Sequence, residues 1–340
     1  MRIRYTTFIV LLLLVSLTSS CKKNLYKVNT SSIKVSVEIK RLEKELFTAT
    51  PDEIVNKVPL LKQKYKGFLQ FFSYVIKAGE INDSTFSEKL TAFCTDKQNN
   101  EVYALTTNLF PDVTAIETGL QEAFRNYLYY FPERKVPAVF TCITGFNNSI
   151  ITGDSVLGIG LDRYLGANCK YYPELEIYDY IAARMTPENI VPDCMFGVAA
   201  SEWDFSTLKY KNDNVLAEII HNGKLKYFEK CMLPEATDEL IFGFTTDQLK
   251  FCLNNEGQMW QYLIEHDLLF STDQLTIRKL TGEAPFTSYF TNQSPGRAAT
   301  WIGFRLVESY MMKNKNVELK DLMNNTDVQA ILEGAKYDPK

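Results

Sequence analysis

Histidine is almost missing from this chain: its 340 residues hold only His221 and His266. That excludes any metal site built on three imidazoles. The seven cysteines include no CxxC pair, so zinc ribbons and thioredoxin-type redox pairs are excluded. There is no GxSxG, no Walker A segment and no GxGxxG. Gly158-Ile159-Gly160 lacks both the third glycine and the unit around it, and reads as strand. Charge of one sign is also missing. Lys and Arg number 37 against 41 Asp and Glu, the net charge is −4, and no long basic block occurs. A nucleic-acid partner is therefore not expected. Beyond the N-terminus no apolar run is long enough for a membrane-spanning helix. Internal repeats and low-complexity segments are absent as well.

Aromatic residues are plentiful, with 22 Phe and 19 Tyr, and hydrophobic residues make up 46%. Such a chain buries a large core. The first 21 residues, MRIRYTTFIVLLLLVSLTSSC, form a pattern of their own. Arg2 and Arg4 precede an apolar stretch from Phe8 to Leu17, which suits a secretory signal and is too short for a permanent span. Thr18-Ser19-Ser20 and then Cys21 resemble a bacterial lipobox, with Thr18 where Leu is usual. The expectation is a signal peptide over 1–20, an acylated Cys21, and a lipid anchor and tether over 21–32. Losing Arg2 and Arg4 takes the formal charge from −4 to −6. Lys22, Lys23 and Lys27 follow the anchor, and no acidic run does, which points to a periplasm-facing attachment. The remaining cysteines, Cys94, Cys142, Cys169, Cys194, Cys231 and Cys252, read as buried apolar residues rather than a disulfide set.

The body alternates between two patterns. IKVSVEIK places Ile33, Val35, Val37 and Ile39 on one side and predicts a half-buried strand. Helices follow from Arg41. Thr50 with Pro51-Asp52-Glu53 reads as a helix start, breaks are expected near Gly79–Asp83 and at Pro111-Asp112, and residues 116–130 read as one amphipathic helix. VPAVFTCI at 136–143 and SIITGDSVLGIGL at 149–161 predict two or three strands, one pair a hairpin turning at Gly153-Asp154. From Leu175 the chain is mainly helical again, with Thr186-Pro187-Glu188 as a start signal. Ser294 and Pro295 read as cap and first position of a late helix. This order is α+β and mostly helical. One globular domain over 33–340 is expected, with a mainly helical part at 33–130 and the rest at 131–340.

One segment resembles chemistry. Asn214 opens NVLAEIIHNGKLKYFEKCMLP, whose Ala217-Glu218-x-x-His221 compares with the H-E-x-x-H of zinc peptidases. There two His on one helix face bind the metal and the Glu is general base. At about 100° per residue, Val215, Leu216, Ile219 and Ile220 fall on one side. Asn214, Ala217, Glu218 and His221 fall on the other, toward an expected cleft beside a sheet edge. Gluzincins take a further ligand from a later Glu, and Glu256 is the candidate remnant. A catalytic zinc keeps three protein ligands, and with Ala217 in the first position only two remain. No cofactor or metal is expected, and no catalytic residue is assigned. Near the C-terminus, Trp301, Arg305 and Glu308 read as a polar flank, with Arg305–Glu308 as an i,i+3 ion pair.

Long stretches carry a wider resemblance: LDRYLGANCKYYPEL, RMTPENIVPD, NNEGQMWQYLIEHDLLFSTD, GEAPFTSYFTNQSPGRAATWIGFRLVESYM and AKYDPK. With the lipobox and the IKVSVEIK strand they resemble the gliding-motility lipoprotein GldB family over nearly the whole mature chain. The resemblance implies a cell-envelope lipoprotein needed for gliding, associated with the machinery that also serves type IX secretion. Its body is similar to zincin-like, gluzincin-type peptidases, and Ala217 implies that hydrolysis has lapsed. Three functions follow: a non-catalytic scaffold held at the membrane by its acyl anchor and bound to other envelope proteins; a zinc peptidase with an atypical ligand set; or capture of a nutrient or glycan by exposed Tyr.

Overall fold

The computed structural model describes residues 24–340. The expected signal segment and Cys21 lie outside the described residues. The architecture is α+β, mostly helical, around a small mixed sheet of four strands.

The N-terminal part runs β1 (Ile39–Arg41), α1 (Leu42–Phe47), α2 (Pro51–Val75), α3 (Phe86–Thr95), α4 (Lys97–Leu109) and α5 (Thr114–Tyr130). Thr50 and Glu53 form a reciprocal capping box at the start of α2, as the TPDE signal predicts. The IKVSVEIK alternation is real, since Val37 and Ile39 are buried. Yet only its last residues pair, in parallel with β2 (Ala138–Cys142), with Ile39 opposite Val139 and Arg41 opposite Thr141. Continuing that register would set Val37 against Pro137, which has no N–H to give. The expected strand is thus cut to its C-terminal end.

β3 (Ile150–Gly153) and β4 (Val156–Gly160) form the predicted hairpin, and the sheet order is β1-β2-β4-β3. Side chains alternate between two cores. Phe140, Cys142 and Ile151 face α2 and α3. Phe68 of α2 stacks on Phe140 at 4.5 Å. Gly158 makes room for it: a Cβ there would lie 2.3 Å from the Phe68 ring. Val139, Leu157 and Ile159 face the larger core, which α5 joins.

Past the sheet come two short 3-10 turns (161–164 and 187–189), α6 (Tyr171–Glu174), α7 (Asp179–Ala182) and α8 (Ile190–Glu202). Then follow α9 (Val215–Met232), α10 (Asp238–Phe242), α11 (Thr246–Asn254), α12 (Glu256–Glu265), α13 (Gln274–Thr281), α14 (Ala298–Lys313), α15 (Leu319–Asn324) and α16 (Val328–Ala335). α8 packs on β3 and β4, and α9 packs on α5 and α8, one layer further from the sheet. The late helix starts three residues after its predicted position. Arg297, with φ 59°, precedes Ala298, while the Ser294 hydroxyl holds the turn at Thr287 and Thr291 instead.

The six cysteines in the described residues are free, five of them buried. Burial pushes the thiols of Cys94, Cys231 and Cys252 up to about 12.

Candidate functional site

The A-E-x-x-H segment opens α9. Asn214 caps it, its side-chain oxygen accepting from the Ala217 N–H at 3.0 Å. The helix is largely wrapped by its neighbours, and its start, at Asn214 and Leu216, borders a pocket. On one side α14 crosses it backbone to backbone. A Cβ on Gly223 would sit 2.3 Å from the carbonyl carbon of Gly303, and one on Gly303 would sit 1.7 Å from the Ile219 carbonyl oxygen. Neither position has room for a methyl group.

The charged residues of α9 are buried too, at 1% exposure for Lys224, 3% for Lys226 and 1% for Glu229. Their partners explain how. The Lys224 ammonium donates to the Met323 and Asn325 carbonyls at the C-terminus of α15. The Lys226 ammonium donates to the Ile241 carbonyl in α10 and to Glu229, at 2.6 and 2.7 Å. Helix C-termini leave carbonyls unpaired and carry partial negative charge, so a buried ammonium is stabilised there. Desolvation still pulls the Lys224 pKa down to about 7 and pushes that of Glu229 up to about 7.

The expected cleft-facing residues take their places within this packing. Ala217 is fully buried. His221 is buried against Phe205 and Tyr210, both rings edge-on to it, and its Nδ1 lies 3.1 Å from the Tyr210 hydroxyl. Burial first, and then the Lys224 charge, lower its pKa to about 4, so the ring is neutral at physiological pH. Glu218 is half-buried. Burial raises its carboxyl pKa, with Asp213 adding to the effect, and the Asn222 amide donates to it at 3.4 Å. The sheet edge expected beside this helix packs elsewhere: β3 lies against α8, where a Cβ on Gly197 would come 2.8 Å from Ile150.

Glu256 stands at the start of α12 and faces a different set of groups. It accepts from the Trp301 indole at 3.2 Å, from Arg305 at 3.1 Å and from the Tyr337 hydroxyl at 2.8 Å. Arg305 also pairs with Glu308, as its spacing predicts, and Glu308 accepts from the Tyr26 hydroxyl. Trp301 is buried, so the flank expected to be polar is in part core. The chain Tyr26–Glu308–Arg305–Glu256–Tyr337 ties the N-terminal segment, α14, α12 and the C-terminal tail together. His221 and Glu256 share no bonding partner. Among the described residues, no group of three His, Cys, Asp or Glu side chains is placed to hold a metal ion. A zinc site does not fit the A-E-x-x-H segment: one position offers a methyl group, and His221 belongs to no group of three possible ligands among the described residues.

Sequence reasoning missed the buried charges of α9. Nothing in KLKYFEK marks these charges as buried, and only the helix ends supplied by α10 and α15 reveal the role. It also missed Asp162, which is fully buried and accepts from the Thr144 and Phe146 N–H groups at 3.0 and 2.6 Å, holding the loop after β2.

No helix among the described residues is long and apolar enough to cross a membrane. No curated protein and no solved structure gives a significant match to the chain. A family model described as gliding motility protein GldB matches residues 23–339. By that match, which spans the body just described, the chain belongs to the GldB family of gliding motility proteins.

Proposed function

We propose that this protein serves gliding motility as a non-catalytic scaffold or assembly factor. In this reading it is held at an envelope membrane by acylated Cys21, faces the periplasm, and contacts proteins of the motility and type IX secretion machinery. Any zincin-like ancestry of the body would survive only as architecture. The observation that carries the reading is the fate of the A-E-x-x-H segment. His221 is buried between Phe205 and Tyr210, Ala217 offers no donor atom, and Glu256 is engaged apart from both by Trp301, Arg305 and Tyr337. These groups build the helical core, and hydrolysis would need them free.

Crosslinking and pull-down from envelopes test the scaffold. Wild-type protein and Glu218→Gln should capture the same motility or secretion proteins. Capture of none by either overturns the reading. Cys21→Ala tests the anchor: it should leave the membrane fraction and incorporate no labelled fatty acid. A variant that stays membrane-bound, with a wild type that never takes up label, removes the anchor.

A further inference from the structure

The segment expected to be a loose tether is fastened to the body almost as soon as it is described. The Asn24 side-chain amide donates to the Pro234 carbonyl at 2.7 Å. Tyr26 is buried, its ring 5.4 Å from that of Tyr227 in α9, with its hydroxyl on Glu308 of α14. The Lys230 ammonium stands over the same ring, and Lys27 pairs with Glu235 at 2.7 Å. Only the links from Cys21 to Asn24 are left between the anchor and the first fixed residue. At ~3.6 Å per residue they reach ~11 Å at most, against a radius of gyration of ~20 Å for a body of this length.

From this we infer that one face of the protein, the one centred on Tyr26, lies against the bilayer that holds Cys21. The inference rests on the acylated anchor proposed above. Apolar side chains surround the clamp. Leu25 is 52% exposed and adjoins Tyr26 in the chain. Met312, 54% exposed, is one turn of α14 beyond Glu308. Tyr129, 47% exposed, sits edge-on to Tyr130 at 5.1 Å. Tyr130 in turn packs against the larger core that holds Tyr227 and Cys231. An aromatic and two aliphatic side chains beside a lipid anchor suit a headgroup boundary. The sheet and α2 lie on the far side of the larger core, so Leu60 of α2, 57% exposed, points into the envelope space.

The test uses the full lipidated protein in vesicles containing brominated lipid. A fluorescent amino acid replaces Met312, Tyr129 or Leu60, one at a time. Bromine should quench the first two several-fold more than the third. Tyr26→Ala should shrink that difference while the protein still sediments with vesicles, with circular dichroism confirming its fold. Equal quenching at Met312 and Leu60 in the otherwise wild-type, vesicle-bound protein overturns the inference and leaves the anchor standing. Protein that carries no lipid and does not sediment contradicts the anchor, and the inference with it.

Discussion

Gly223 of α9 and Gly303 of α14 meet backbone to backbone, and each occupies the space in which the other's side chain would lie. The approach brings two long helices of the larger core together and leaves the A-E-x-x-H turn on a helix enclosed by its neighbours. Gly303→Ala forces α14 off the Ile219 carbonyl. Overpacking costs typically 1–3 kcal/mol, and contact with backbone puts this site at about 3 kcal/mol or more. Gly67→Ala on α2 meets nothing within 4 Å and, next to the kink at Lys66, should gain less than the ~1 kcal/mol of a helix interior. Denaturant unfolding of the two variants checks both signs.

Acid should weaken the fold through His221. Its folded pKa, about 4, lies below the ordinary imidazole value of 6.5. Between those values the unfolded chain binds a proton that the folded chain does not, so stability falls as pH falls through this window. Going from pH 7 to pH 4.5, wild type should lose about 2 kcal/mol more than His221→Gln. Glu218, with its raised carboxyl pKa, acts in the opposite direction in both proteins and drops out of the difference. Urea midpoints across the range decide it. Equal losses would place His221 in water.

Lys226 and Glu229 form a buried pair at 2.7 Å. Lys226→Met removes one partner and leaves the carboxylate in the core. That should cost about 3–5 kcal/mol, and Lys226→Met with Glu229→Leu should recover much of it. A double-mutant cycle measures the coupling. A single variant as stable as wild type would show that water reaches Glu229.

Much of the fold was legible because its signals are local. Thr50-Pro51-Asp52-Glu53, the Gly153-Asp154 turn and the Pro111-Asp112 break each act within a few residues. Two features were not. Pairing of Ile39 with Val139 joins segments a hundred positions apart, and Pro137 cuts it short. The burial of the α9 charges was the other, since lysine is normally solvated. Here the ends of α15 and α10 and the loop after α9 supply carbonyls to Lys224, Lys226 and Lys230, and a sequence does not say which segments will arrive. Of the candidate site, the helix itself was legible, and the capping role of Asn214 was not. The surroundings of Glu256 were not legible for the same reason, since its donors Trp301, Arg305 and Tyr337 come from distant segments.

Glu256 is a tie between α12, α14 and the tail, so its loss should appear in order rather than chemistry. Glu256→Ala leaves the Trp301 indole and the Tyr337 hydroxyl without their acceptor, at about 1–3 kcal/mol. Hydrogen exchange over residues 335–340 should rise sharply, and metal content should not change. Unaltered exchange in the tail would contradict the tie.

The most direct test of the account is zinc content, measured by mass spectrometry on untagged protein purified from envelopes without chelator. Packing of Ala217 and His221 predicts far less than one zinc per chain, the same in wild type and His221→Gln. One tightly held zinc per chain, lost in His221→Gln, would contradict it.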